Sequence, residues 1–251
     1  MKEIIKMLVE LFTNLFSKKE KTESVTITDE VIEQINKEIK EVIKEKETIK
    51  KEQPMFKDIT VILDAGHGGI IDGVYQTNGK RSPVWEDGTQ YFEGEGNRAI
   101  VKLIDAQLKE LGIKTYLTAN TQKDVKLQER CDLANAVEGD TIFISVHSNA
   151  GGGHGFESFS YRKTGKASEM NTIMYDEAAK EFPEARMRYG NKEKHQGKTA
   201  NYKMLRDTAM PAILTENFFM DTESDCAILL SKEGKQSIAD FHVEAIKRFL
   251  S

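Results

Sequence analysis

Residues 59–69 read ITVILDAGHGG, and they carry the first signal of the fold. Its uninterrupted apolar run is typical of a strand buried on both faces, as in a parallel sheet covered by helices. The run ends close to His67, which is held between glycines. Alone, such a histidine is more often a loop residue in a flexible turn. The alternative is that the strand carries an imidazole to a functional edge of a sheet.

The chain beyond residue 57 alternates between strand-like and helical patterns. Strands are indicated by IKTYLTA (113–119), TIFISVH (141–147), GFESFSY (155–161) and AILTENF (212–218). Helices are indicated for residues 97–111, 127–137, 167–182 and 234–250. Strands that alternate with helices predict an α/β fold with a mostly parallel, twisted central sheet flanked by helices.

The first 56 residues differ in composition from the rest, since they contain no glycine and no histidine. Residues 3–17 have the pattern of an amphipathic helix, and residues 29–51 that of a second helix with a short heptad-like stripe. Pro54 cannot continue a helix and marks a linker. We therefore predict an N-terminal helical extension with its linker at 1–56 and a globular domain at 57–251. The extension could associate with a membrane surface, self-associate through residues 1–51, or dock on the globular domain.

Net charge, cysteine spacing and the N-terminal sequence argue against several classes of protein. A net charge of -5 argues against nonspecific binding of nucleic acid, which requires a cationic surface. Cys131 and Cys226 are far apart in sequence and form no CxxC pair, so we expect reduced, buried thiols. The N-terminus resembles a signal peptide, but Glu10 interrupts its apolar stretch and no cleavage site of the A-x-A type follows. We therefore expect an uncleaved protein that is made in the cytoplasm.

Three polar residues lie at or just after the ends of predicted strands: His67, His147 and Glu216. In α/β sheets, ligands gather beyond the carboxyl ends of the strands. Each residue alone has a simpler interpretation, such as a core histidine or a helix cap, and Glu93 could be one more surface acid. Two imidazoles and one carboxylate together form a three-ligand set for zinc that leaves a fourth position open for water.

Six motifs carry a resemblance to a known family: ILDAGHGG (62–69), YFEGEGNRAI (91–100), LQERCDLAN (127–135), IFISVHSNA (142–150), GFESFSY (155–161) and MPAILTENFFMD (210–221). Their order resembles that of the zinc-dependent N-acetylmuramoyl-L-alanine amidases. The resemblance covers residues 57–251 and leaves the first 56 uncovered. It implies that 57–251 is a zinc amidase catalytic domain acting on peptidoglycan.

Carried over residue by residue, the resemblance implies one zinc ion bound by His67, Glu93 and His147, and a catalytic Glu216. Glu95 competes with Glu93 for the ligand position, and the register of the helix start favours Glu93. One departure from the family pattern is Asn217-Phe218, which stands where a small residue and a glycine are usual.

Several further residues are expected to support this site. Asp64 could orient His67, while Arg130 and Asn135 resemble residues that fix a helix to a strand. The candidates for substrate contacts are Asn149, His154, Arg206 and Trp85. Trp85 belongs to the long loop 71–92, whose aromatic residues either line the substrate groove or pack the loop down. His195 is expected in a polar, solvent-exposed loop and His242 in a structural position.

The implied reaction is hydrolysis of the amide between N-acetylmuramic acid and L-alanine, with Glu216 as the general base. Without a convincing signal peptide, the chain resembles phage-type lysins that act on the cell wall after release. One alternative is a zinc peptidase acting within the stem peptide. Another is a wall-binding module that has lost turnover.

Overall fold

The computed structural model describes residues 58–251, together with Lys37 and Lys40, which are exposed helical positions. Contacts between Cα atoms divide the chain into Met1–Met55 and Phe56–Ser251. The predicted helix at 3–17 and all but two positions of the predicted helix at 29–51 lie outside the described residues. The extension, its boundary and its associations therefore stay predictions.

The elements of the described domain follow in this order: β1 (Ile59–Ala65), β2 (Ile70–Ile71), β3 (Val74–Tyr75), α1 (Glu93–Glu110), β4 (Lys114–Leu117), α2 (Leu127–Asn135), β5 (Asp140–Asn149), β6 (Phe156–Ser160), α3 (Lys166–Glu181), β7 (Lys198–Thr199), α4 (Lys203–Arg206), β8 (Ala212–Phe219), α5 (Glu223–Leu230) and α6 (Lys232–Leu250). The predicted α/β alternation is confirmed. The structure adds α5, the short elements α4 and β7, and a small hairpin of β2 and β3.

Six strands form the central sheet in the order β4-β1-β5-β8-β6-β7. β1 runs parallel to β4 and β5, and β5 runs parallel to β8. β6 is antiparallel to β8 and parallel to β7. The carboxyl ends of β1, β5 and β8 therefore meet at one edge of the sheet, and β6 begins at that same edge.

Side chains alternate between two apolar cores, one on each face of the sheet. Val61 and Leu63 join the larger core under α1, α3 and α6, while Ile62 joins the smaller core under α2 and α4. All three side chains are fully buried, which explains why the opening stretch is apolar without alternation. None of the described helices is long and apolar enough to cross a membrane.

Candidate metal centre

Three side chains from separate elements converge at the carboxyl edge of the sheet. His67 follows β1, Glu93 is the first residue of α1, and His147 lies near the end of β5. Oε1 of Glu93 lies 3.2 Å from Nε2 of His67 and 3.1 Å from Nδ1 of His147. The three donor atoms lie within 4.8 Å of one another, and the two imidazole rings are perpendicular with centroids 5.0 Å apart.

The backbone at His67 adopts an unusual conformation, with a φ of 65° in the left-handed region. Arg130 stabilises this turn, because its guanidinium donates to the carbonyl oxygens of Ala65 at 2.5 Å and of His67 at 3.0 Å. The same guanidinium also donates to Oδ1 of Asp64 at 2.8 Å. The hypothesis that Asp64 orients the His67 ring directly is not supported, because Asp64 acts on the turn through Arg130.

Gly66 makes room for the second histidine. A β-carbon at this position would lie 2.1 Å from Cε1 of His147, far inside contact distance. Gly66 does not have a positive φ. Position 66 therefore requires glycine because of this close approach to His147, and not because of backbone strain. The glycine-rich sequence around His67 therefore has a packing role at the centre.

Glu93 is 1% exposed and is held in place by two further groups. The backbone N–H of Ser148 donates to its Oε1 at 3.2 Å, and Nδ2 of Asn97 donates at 3.4 Å. Burial raises the pKa of Glu93, but the hydrogen bonds with His147 and His67 outweigh this effect, so the pKa lies well below its usual value. Glu93 is therefore an anion at neutral pH.

Glu95 lies elsewhere, although it is only two residues further along α1. Its Oε1 accepts a hydrogen bond from the backbone N–H of Ile70 at 2.6 Å. This contact holds the start of the β2–β3 hairpin. The structure therefore brings Glu93, and not Glu95, to the two histidines; α1 begins at Glu93 itself, four residues before the predicted start at 97.

Glu216 on β8 lies beside this group. It is in register with His147 on β5 and with Glu157 on β6, so the three side chains form one row on the same face. Among the described residues, Oε2 of Glu216 is buried without a hydrogen-bond partner. Burial raises the pKa of Glu216 to about 7, and the negative charges of Glu93 and Glu157 act in the same direction.

The donor set fits a zinc ion. Two imidazole nitrogens and one carboxylate oxygen are the protein ligands of many catalytic zinc sites. The side chains of His67 and His147 are 19% and 15% exposed, so the centre is open to solvent on one side. The unpartnered Oε2 of Glu216 adds a buried proton acceptor at the same place.

The segment after Glu216 is where the chain departs from the family pattern. The pairing of β5 with β8 shifts register between His147 and Asn149, and Phe218 has a φ of 63°. A glycine, which the family pattern favours here, would adopt this conformation without strain. Asn217 stabilises the irregular turn, because its Nδ2 donates to the carbonyl of His147 at 2.9 Å.

Glu157 is a buried acid of the site that was not predicted from the sequence. Its Oε1 accepts a hydrogen bond from Nδ2 of Asn149, and its Oε2 accepts from Nε of Arg188 at 3.2 Å and from Nζ of Lys198. Burial raises the pKa of Glu157, but the two cations and Asn149 outweigh this effect, so the pKa is lowered. The period of two in GFESFSY places Glu157 on one face of its strand, but no sequence pattern indicates its partners.

Three of the four residues predicted to contact substrate have other partners in this structure. Asn149 binds Glu157, and Arg206 is exposed and paired with Asp207. Trp85 packs against the larger core and donates from Nε1 to Sγ of Cys226 at 3.2 Å. His154 lies exposed in the loop after β5. Their contact with substrate stays a prediction, and packing of loop 71–92 is the better description of Trp85.

The remaining polar residues have structural positions. His242 is fully buried on the opposite face of the sheet, between the carbonyl of Ile238 and the hydroxyl of Thr215. His195 is exposed and stacks on Tyr189. Asn135 binds the backbone of Asp207 and Ala209, which fixes α2 to the segment before β8. Both cysteines, at 131 and 226, are free and buried, as predicted.

The molecule is thus an α/β domain with a mostly parallel sheet, a candidate metal centre of two histidines and one glutamate, and a second glutamate beside that centre. The sequence matches the Amidase_3 family, N-acetylmuramoyl-L-alanine amidase, over residues 61–248. The chain belongs to this family, and the resemblance found in its motifs is confirmed.

Several named relatives are similar to this chain. The endolysin of Bacillus phage SPP1 is 33% identical over 198 residues, which cover 76% of this chain and 66% of that protein. The sporulation-specific N-acetylmuramoyl-L-alanine amidase of Bacillus subtilis is 35% identical over 196 residues, covering 76% of this chain and 68% of the relative. The chain thus spans about two thirds of the length of these curated relatives.

Solved structures share the fold. The N-acetylmuramoyl-L-alanine amidase from Clostridium difficile 630 superposes with a TM-score of 0.63 at 24% identity, covering 76% of this chain and 96% of that one. AmiC2 of Nostoc punctiforme gives 0.62 at 24% identity, covering 78% and 98%. At this level of identity the likeness shows a common fold.

Proposed function

We propose that this chain hydrolyses the amide bond between N-acetylmuramic acid and L-alanine in peptidoglycan, with one zinc ion held by His67, Glu93 and His147. The observation that carries the proposal is the convergence of these three donors on one side of Glu216, whose Oε2 is buried and unpartnered. Family membership and the names of the relatives support the choice of substrate.

When bound, zinc would supply a Lewis acid that acidifies water and polarises the scissile carbonyl. The chain's own residues transfer the protons and hold the metal ligands in place. Glu216 accepts a proton at Oε2 from the attacking water and later donates a proton to the departing amine of L-alanine, which must be protonated to leave. Ser148 and Asn97 hold Glu93 in place, and Arg130 holds the turn that carries His67.

The similarity to the SPP1 endolysin supports a lysin role. The enzyme would be made in the cytoplasm and would reach the wall after release or export. The extension predicted at 1–56 would then associate with a membrane surface, with a second copy, or with the globular domain.

The test combines metal analysis with product identification on purified peptidoglycan. We expect about one zinc per chain and stem peptides that begin with a free L-alanine amine. Cleavage within the stem peptide would make the enzyme a zinc peptidase instead. A zinc-loaded chain that binds the wall without cleaving it would be a binding module.

Glu216→Gln isolates the role of the acid. We expect unchanged zinc content and a turnover lower by about 10²–10⁴-fold, which is the usual contribution of general acid–base catalysis. Glu223→Gln, at an exposed position in the first turn of α5, is the matched control and should leave turnover unchanged. Normal activity of Glu216→Gln would remove this residue from the mechanism.

A further inference from the structure

Two cations lie beside Glu157, at the end of the sheet where β5 and β8 finish and β6 begins. Arg188 and Lys198 both donate to Oε2 of Glu157, which is next to Glu216 in the sheet register. One carboxylate therefore faces two positive charges, and one positive charge is left uncompensated within this cluster. We call Glu157, Arg188 and Lys198 the edge cluster.

The edge cluster presents its cations to solvent while it buries the acid that holds them. The side chains of Arg188 and Lys198 are 26% and 29% exposed, whereas that of Glu157 is 9% exposed. Among the described residues, the Arg188 side chain donates only from Nε, so the NH1 and NH2 groups remain available. The guanidinium also lies over the ring of Phe219, 5.0 Å from its centroid. Arg188 is thus held in one orientation before any ligand binds.

These donors suit a carboxylate, because a guanidinium and an ammonium both bind carboxylate oxygens through charge-assisted hydrogen bonds. The sugar side of the scissile amide offers no carboxylate, since the lactyl carboxyl group is itself the acyl half of that bond. A carboxylate that reaches this cluster must therefore come from the peptide side.

The distance from Glu216 limits where that carboxylate lies in the peptide. Both cations contact Oε2 of Glu157, which lies one strand away from Glu216 in the sheet register. One strand spacing and one hydrogen bond together correspond to about 8 Å. An extended peptide covers about 3.5 Å per residue, so this distance corresponds to roughly two to three residues beyond the scissile bond.

We propose that Arg188 and Lys198, held by Glu157, form a subsite for a peptide carboxylate carried two to three residues beyond the amide that is cut. The inference rests on the proposed function and deepens it: the enzyme selects acidic stem peptides over the same peptides with amidated carboxylates. Arg188 and Lys198 contribute to substrate binding, and Glu157 is a positioning residue that orients them.

The test uses two muramoyl peptides that differ only in whether the carboxylates of the second and third residues are free or amidated. We expect the full chain to prefer the acidic peptide by about tenfold in kcat/KM, mainly through KM. This is the size of effect expected for one charge-assisted hydrogen bond to a partly exposed cation. Arg188→Met and Lys198→Met should each lower kcat/KM on the acidic peptide much more than on the amidated one, so that the preference falls towards one. Arg188→Lys and Lys198→Arg should retain part of it.

Lys166→Met is the matched control, because Lys166 is exposed at the start of α3, which follows the opposite end of β6. It should keep the full preference. An equal rate of the unmodified chain on both peptides would overturn the proposal. An equal fall on both peptides in Arg188→Met and Lys198→Met would also overturn it, because the edge cluster would then be structural.

A binding measurement separates this inference from the proposed function. Calorimetry with the released peptides, acidic or amidated, needs no turnover. Tighter binding of the acidic peptide that is lost in Arg188→Met supports the subsite even if the muramoyl amide is never cut. Equal binding of the two peptides overturns it even if the amide is cut.

Discussion

Gly66→Ala tests whether the packing around His147 controls metal binding. The added methyl group would lie 2.1 Å from Cε1 of His147 and 2.4 Å from Nδ1. Carbon atoms in contact are about 3.5 Å apart, so the ring must retreat by roughly 1.4 Å. Metal sites tolerate only about 0.2 Å in the bond between zinc and a ligand. Since even changes outside the ligand set cost 10–100-fold in metal affinity, we expect a loss of at least about 100-fold.

The assay is competition for zinc between the full chain and a chromophoric chelator, with activity as a second measurement. Gly79→Ala is the control, because a β-carbon there meets no atom within 4 Å. With its φ of 76°, alanine at 79 should cost about 1 kcal/mol of stability and leave zinc affinity unchanged. If Gly66→Ala bound zinc as tightly as the unmodified chain, the inference that Gly66 makes room for His147 would be refuted.

Two further predictions concern buried ionisable side chains on the two faces of the sheet. Burial lowers the pKa of His242 from its ordinary 6.5 to about 4, so between these values the unfolded chain binds a proton that the folded chain does not. The stabilisation is complete above about pH 6.5 and is lost as the pH falls towards 4, by about 3 kcal/mol in total. The measurement is urea unfolding of the unmodified chain and of His242→Gln, both with a chelator present, between pH 7 and pH 4. The difference in their free energies of unfolding should change by this amount over that range, and a difference independent of pH would contradict the prediction. Arg130→Met should lower the free energy of unfolding by about 3–5 kcal/mol, because it leaves Asp64 buried without its cation. Adding Asp64→Asn should recover part of that loss, and a double variant no more stable than the single one would argue against a buried ion pair.

The fold was predictable because its signals are local. A run such as residues 59–63 is apolar without alternation, and only a strand covered on both faces buries all of it. The antiparallel direction of β6 was not predictable, because GFESFSY carries the alternation of a strand but nothing that gives its direction. The start of α1 was placed too late, since Glu93 to Gly96 include two glycines, which favour helices poorly.

The candidate site was predictable to the extent that strand ends and family motifs identify it. His67, His147 and Glu216 each lie at or near the end of a strand, where a parallel sheet brings side chains together. Asp64 was assigned the wrong partner, because its ion pair with Arg130 joins residues 66 positions apart. The edge cluster was missed for the same reason, since Glu157 meets residues 31 and 41 positions away.

Periodicity, composition and motif order are local properties of the chain, so the class of fold, the family and the kinds of side chain available for chemistry could be inferred from them. The three-dimensional arrangement was needed to show that Glu93 rather than Glu95 joins the histidines, and that loop 71–92 packs Trp85 inwards. It also showed that two cations meet at Glu157, next to Glu216. These outcomes depend on strand register and on side chains meeting across long sequence separations, where about 1 Å of displacement changes which atoms form a bond.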